Sequence, residues 1–362
     1  MASYILRRLL LMIPTILGIM VLNFVIVQAA PGGPVERLVA QLTGQDFGAT
    51  ATISGGGAET TVSNDAQARS RAEKGLDPAL LKEIEQLYGF DKSPAERFFI
   101  MMGQYLTFDF GSSFYSDREV VDLVLDKLPV SISLGLWTTL LVYFISIPLG
   151  IRKAVRDGSQ FDLVSSFIVI VGYAIPNFLF AVLLVILFAG GTFLDWFPLR
   201  GLTSEGFADM STFQQVLDYL WHITLPVLSM VISGFASLTM LTKNSFLDEI
   251  GKQYVLTARS KGVTEGRVLY GHVFRNAMLI VIAGFPSAFL SIFFTGAMLI
   301  EVIFSLDGLG LLGFESVVNR DYPVVFATLY VFSLLGMFMG LISDLTYRLI
   351  DPRIDFDRRD VT

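Results

Sequence analysis

The chain contains no cysteine and only two histidines, His222 and His272. Disulfides and thiolate metal sites are therefore excluded, and a histidine-rich metal centre lacks its ligands. Charge is scarce as well: Asp, Glu, Lys and Arg make up 16% of 362 residues, against about 25% in soluble domains. No G-x-x-x-x-G-K-[ST] run occurs, so there is no phosphate-cradling loop for ATP. No internal repeat is evident. What remains is apolar. Hydrophobic residues are 53% of the chain, the mean hydropathy is +0.62, and long apolar runs recur. That combination defines an all-α, polytopic membrane protein.

A spanning helix needs about 20 apolar residues, and six stretches qualify: Leu9–Ala30, Pro129–Ile151, Leu163–Gly190, Ile223–Thr242, Ala277–Ile303 and Val324–Ile350. Arg7 and Arg8 followed by an apolar run and Ala29–Ala30 also resemble a secretion signal. The run is longer than a usual signal core, so a retained helix is expected. Lys and Arg concentrate in alternate short connections: before span one, after span two, between spans four and five, and after span six. By this positive-inside pattern those segments and both termini are cytoplasmic. The inside carries about +5 and the outside about −12 of the net −7.

The predicted organisation is a first segment and helix (1–30), an outer loop region (31–128), a core (129–350) with a cytoplasmic loop (243–276), and a cytoplasmic tail (351–362). Within the outer loop, residues 48–75 are rich in Gly, Ser, Thr and Ala and read as a flexible linker. "LDPALLKEIEQLYGF" follows as an amphipathic helix, and "PAERFFIMMGQYLTF" as an aromatic-rich segment suited to the membrane surface.

Ionisable residues are rare inside the spans. Asp344 and Arg348 lie at i, i+4 near the end of span six, and Glu301 falls where span five should emerge outside. An ion-driven carrier usually places carboxylates near the midplane, so energy is expected to enter from elsewhere. A stand-alone ion-coupled transporter or channel is the alternative. An intramembrane hydrolase has serines in "GFAS" and "GFPS", but the two histidines are expected on opposite sides of the membrane and supply no base. His222, beside Trp221, is expected to anchor its helix at the membrane surface. Pro176 and Pro286 interrupt spans three and five; such prolines can shape a pathway or simply kink a packed helix. Glu301 is a candidate contact at the outer mouth.

The cytoplasmic loop is long for a bundle connector. "SFLDEIGKQYVLTARSKG" reads as one helix with Phe246, Ile250, Tyr254 and Ala258 spaced by four, Gly262 stops it, and "VTEGRVLYGHVF" leads into span five. The expected geometry is a helix–glycine–helix elbow lying along the membrane surface. "LTARSKG" (Leu256–Gly262) with "HVFRNA" (His272–Ala277) resembles the EAA loop of ABC importer permeases: Leu256, Thr257 and Ala258 stand at the Glu-Ala-Ala positions, Gly262 at the glycine, and Arg275 where many members have proline. These departures are similar to the oligopeptide and dipeptide branch. "YILRRLLLMIPTILGIMVLNFVIVQAAPGGP", "YGFDKSPAERF", "FDFGSSF", "LPVSISLGLW", "SIPLGI", "GAMLIEVIFSLDGLGLLGFESVVNRDYPVV" and "DPRIDF" follow that branch in order. The extended outer loop points to its subgroup associated with oligopeptides and the peptide–nucleotide antibiotic microcin C.

The resemblance implies a six-helix type I importer permease in a bacterial inner membrane, forming half of a pore. It implies a homologous second permease, a cytoplasmic ATPase with two nucleotide-binding domains, a periplasmic peptide-binding protein and a peptide substrate as partners, alongside membrane lipid and without nucleic acid. No cofactor is expected on this chain; ATP and Mg belong to the partner ATPase. Tyr254, Ala258, Arg259, Lys261, Gly262 and Arg275 are the implied ATPase-coupling residues.

Overall fold

The computed structural model describes residues 2–29, 92–116, 118–191, 193–286, 288, 297–319 and 321–350. The expected linker at 48–75, the amphipathic helix at 76–90 and the tail at 351–362 lie outside the described residues. The helices are α1 (Ala2–Ala29), α2 (Pro94–Leu106), α3 (Val120–Val155), α4 (Gln160–Ala174), α5 (Asn177–Phe188), α6 (Thr212–Ile250), α7 (Gln253–Ser260), α8 (Glu265–Val268), α9 (Phe274–Ala283), α10 (Ala297–Ile303), α11 (Leu309–Val318) and α12 (Tyr322–Ile350). Among the described residues there is no strand, only an isolated bridge between Ser112 and Glu119.

Among the described residues, stretches within α1, α3, α6 and α12 are long and apolar enough to cross a membrane. The third expected span is not one helix. α4 and α5 meet at 93°, because Pro176 pushes Ile175 out of helical geometry, to φ −84° and ψ 117°. The fifth expected span contains α9 and α10, with residue 287 and residues 289–296 between them outside the described set.

By its contacts the chain divides into two compact units. One comprises Met1–Ile5, Lys127–Leu312 and Leu335–Thr362. Its frame is the pair α3 and α6, of 36 and 39 residues, or about 54 and 58 Å at 1.5 Å per residue. Thr138 lies 3.8 Å from the Met230 sulfur, and the Ser146 hydroxyl donates to the Phe235 carbonyl at 2.9 Å. Further along, Gly150 meets Thr239 and Thr242. Contacts advance together along both helices, so they run in the same direction. At Gly150 a Cβ would sit 2.6 Å from Thr242 Cβ and 2.8 Å from the Thr239 carbonyl oxygen, so this crossing requires glycine. Leu134, Val142, Met230, Val231, Phe246 and Val281 are among the buried residues that form the apolar core of this unit.

The other unit comprises Leu6–Asp126 and Gly313–Leu334. In it α2 begins with Pro94 and a reciprocal cap between Ser93 and Glu96. Tyr105, Phe108, Phe110 and Tyr330 pack edge to face with ring centres 5.0–6.2 Å apart. The Asp321 carboxylate accepts from the Ser113 hydroxyl and, at 3.0 Å, from the Phe114 N–H.

Candidate functional site

The expected elbow is present, but its first half is not one helix. α6 ends at Gly251, Lys252 is extended with φ −75° and ψ 152°, and α7 restarts at Gln253. The break shifts the apolar face by one residue. Val255 is wholly buried while Tyr254 turns outward. Glycine is the worst interior helix former after proline; Gly251 is the last residue in helical geometry, and the chain leaves it at Lys252.

α7 terminates as Gly262 requires. Gly262 has φ +78°; its N–H donates to the Arg259 carbonyl at 2.9 Å and the Val263 N–H to the Ala258 carbonyl at 3.3 Å. This is the paired bond pattern of a left-handed glycine cap. Nothing stands within 4 Å of a Cβ built at Gly262, so backbone conformation alone selects glycine. Ala258 and Val263 both pack on the apolar core, which fixes the turn against the bundle.

Beyond the turn, α8 passes through a π turn at Leu269–Val273 into α9. The inserted residue shows in the buried positions: Val268, then Val273 five residues on, then Ala277 and Val281 at steps of four. Single π turns inside helices are frequent at functional sites.

The elbow is bonded to itself and to the helix ends. The Arg259 guanidinium pairs with Glu265, its Nε 3.0 Å from Oε1. The Tyr254 hydroxyl donates to Glu249 at 2.7 Å and accepts from the Asn276 amide at 3.1 Å. Burial and the Glu249 carboxylate push the Tyr254 phenol pKa up. A cavity of about 340 Å³ lies between the elbow and the ends of α3 and α6, lined by Ala154, Val155, Ile250, Arg259, Glu265 and Val268 among others. Of the residues singled out from the sequence, Tyr254, Ala258, Arg259 and Gly262 are thus tied into this structure. Lys261 and Arg275 are exposed, as is His272.

The sequence missed the charges beside the elbow. Lys153 and Lys243 read only as topology-setting cations, yet Lys153 is fully buried. Its ammonium lies 2.9 Å from Asp162 Oδ1, and Lys243 lies 2.8 Å from Asp162 Oδ2 and 2.8 Å from Asp157. The one available signal was Asp162 itself, in the first turn of a helix that follows the Asp157–Gly158 turn.

The pathway candidates lie elsewhere. A second cavity of about 380 Å³ is lined by Thr138, Thr139 and Tyr143 of α3, Asn177 of α5, Ser233 of α6 and Gly284 after α9, among others. Pro176 immediately precedes Asn177, and the buried Pro286 lies between the lining residues Gly284 and Ala288. Glu301 is wholly buried: it accepts from the Leu311 N–H at 2.6 Å and lies 3.5 Å from the Ser131 hydroxyl, which in turn accepts from the Leu309 N–H at 2.9 Å. The carboxylate therefore holds the first turn of α11 rather than meeting solvent. His222 is also buried, its Nδ1 2.8 Å from the Asp218 carbonyl, while Trp221 is the exposed partner and donates to the Trp196 carbonyl. The ring expected at the surface is thus buried at His222, and the exposed one is its neighbour Trp221.

Among the described residues the chain is thus a helical bundle with apolar helices long enough to cross a membrane and a bonded, charged elbow packed against the ends of its two longest helices. The family described as binding-protein-dependent transport system inner membrane component matches residues 146–356, and this chain belongs to that family. It is 61% identical to the peptidoglycan transport system permease protein YejB of Agrobacterium fabrum (strain C58 / ATCC 33970), over 100% of both chains. It is 57% identical to the inner membrane ABC transporter permease protein YejB of Escherichia coli O157:H7, over 99% of this chain and 100% of that one. Against the oligopeptide transport system permease protein AppB of Bacillus subtilis (strain 168) the identity is 33%, over 98% of this chain and 100% of the relative. The resemblance read from the sequence motifs is borne out at the level of the family.

Proposed function

We propose that this chain is the permease subunit of an ABC importer for peptides and forms half of its translocation pore. A homologous second permease completes the pore. A cytoplasmic ATPase with two nucleotide-binding domains supplies the energy, and a periplasmic peptide-binding protein delivers cargo. Substrate class is supported by relatives of two kinds, one named for peptidoglycan transport and one for oligopeptides. A peptide moiety is common to both, and a peptide–nucleotide such as microcin C shares it.

The observation that carries the reading is the elbow. Its apolar face is buried on the bundle, its turn is fixed by Gly262, and it leaves Lys261 and Arg275 exposed for a partner. An amphipathic helix with a basic rim suits a groove on an ATPase. Nucleotide-driven closure would bias the bundle through differential contact with that helix. The cavity lined by Thr138, Thr139, Tyr143, Asn177 and Ser233 is the proposed wall of the pathway, with Pro176 and Pro286 shaping it rather than touching cargo. Glu301 would hold the outer loop instead of binding a peptide amine.

The test is purification from native membranes followed by uptake in proteoliposomes. A second permease and an ATPase should copurify, and peptide uptake should need both, with ATP. Uptake by this chain alone under an ion gradient would overturn the proposal.

A further inference from the structure

We propose that Asp162, bridging Lys153 and Lys243, is a buried clamp that makes the ends of α3, α4 and α6 follow the elbow as one body. Asp162 is then a positioning residue for transport. This rests on the elbow being the site that receives the ATPase.

The cluster is complete on its own terms. The Lys153 ammonium contacts the Asp162 carboxylate, the Asp162 carbonyl at 3.0 Å, the Ser165 hydroxyl at 2.9 Å and the Ser166 hydroxyl at 2.6 Å. An ammonium has three protons to give, so it is fully satisfied. The second Asp162 oxygen accepts from Lys243 and from the Gly158 N–H at 3.2 Å. With Asp157, two cations meet two anions. Replacing such a buried set by apolar side chains is often neutral or stabilising, so stability alone does not account for it; the best-attested use is to fix register.

Its position says which register. Lys153 immediately precedes Ala154 and Val155, which line the cavity shared with Arg259 and Glu265 of the elbow. Lys243 lies about two turns before Ile250, another lining residue. Gly150 closes on Thr239 and Thr242 one turn earlier, so backbone contact and ionic contact fasten α3 to α6 at the same level. Asp162 adds α4 to that pair. α4 spans about 22 Å and ends at the Pro176 bend, after which Asn177 lines the larger cavity. A push on the helix ends is thereby carried by one rigid element to that cavity.

The test uses the reconstituted transporter with its partner permease, ATPase, binding protein and peptide, measuring uptake per ATP hydrolysed. Lys243→Gln keeps the Lys153–Asp162 pair and is the milder change; it should lower that ratio about fivefold, and Lys243→Arg should restore it. The chain has no cysteine, so Asp157→Cys with Lys243→Cys gives one thiol pair. Linking that pair should leave the ratio near that of the parent if the helices move together. A wild-type ratio in Lys243→Gln, no recovery with Lys243→Arg, or transport arrested by the cross-link each overturns the clamp. Arg259→Ala, measured alongside, separates the two readings. A normal ratio there removes the elbow reading, whereas an impaired one beside a normal Lys243→Gln removes only the clamp.

Discussion

Two ion pairs lie close together along the chain's folded surface and interior, and they differ in almost everything but length. Arg259 and Glu265 approach to 3.0 Å with 38% and 71% of their side chains exposed; Lys153 and Asp162 approach to 2.9 Å with 0% and 6% exposed. The first pair is screened by water and salt and is worth about 0–1 kcal/mol, so it can open at little cost and exchange partners. The second cannot open without leaving a charge buried. Under the proposed function, the region that docks and releases is built from exposed pairs, and the region that keeps its shape from buried ones.

The largest expected effect tests the buried side. Asp162→Ala leaves the buried Lys153 without its carboxylate, while Lys243 keeps Asp157, and should lower stability by about 3–5 kcal/mol, read as a fall in the unfolding midpoint of the detergent-solubilised subunit. Replacing Lys153, Asp162 and Lys243 together by Met, Leu and Met should recover most of that stability without recovering uptake per ATP. Recovery of both would remove the contrast between the two regions. A smaller loss sharpens it: Gly150→Ala forces α3 from α6 at Thr239 and Thr242 and should cost about 1–3 kcal/mol as overpacking, with an unfolding midpoint between those of Asp162→Ala and the parent.

The two regions also differ in how far they were legible. The elbow could be read because its signals are local. Gly262 ends a helix by its own φ, and the cations around it recur within one short segment. The apolar runs announced the long helices for the same reason. The clamp depends on Lys153, Asp162 and Lys243 meeting across three helices, and a lysine after an apolar run gives no sign of facing inward. Glu301 posed the same difficulty, since Ser131 stands 170 residues away. Two local features were misjudged because competing forces are close in size. The chain broke at Gly251–Lys252 a helix that spacing alone continued, and Pro176 turned a span through 93° where a kink would have satisfied the sequence equally well.

On the exposed side, Gly262→Ala places a Cβ in open space but in a left-handed conformation. The expected cost is about 1–2 kcal/mol, confined to the elbow. Hydrogen exchange should quicken over residues 253–263 while the amides of α6 keep their protection. Faster exchange throughout α6 would mean that the elbow is part of the rigid body and not a surface attached to it.

The smallest effect on stability should accompany a large effect on coupling. Arg259→Ala removes an exposed pair and should change the unfolding midpoint by the equivalent of less than about 1 kcal/mol. Uptake per ATP should nevertheless fall about tenfold, a loss of the size that coupling free energies span. A charge swap then tells what Arg259 is for. If the guanidinium serves only to hold Glu265, Arg259→Glu with Glu265→Arg rebuilds the pair and restores the ratio. If Arg259 leaves Glu265 to meet an acidic group of the ATPase, the swapped chain presents a carboxylate there and stays uncoupled even though its own pair is intact. The exposed pair can exchange partners at little cost, so the second outcome is expected. Full rescue by the swap would place the Arg259–Glu265 pair with the clamp, as structure rather than contact.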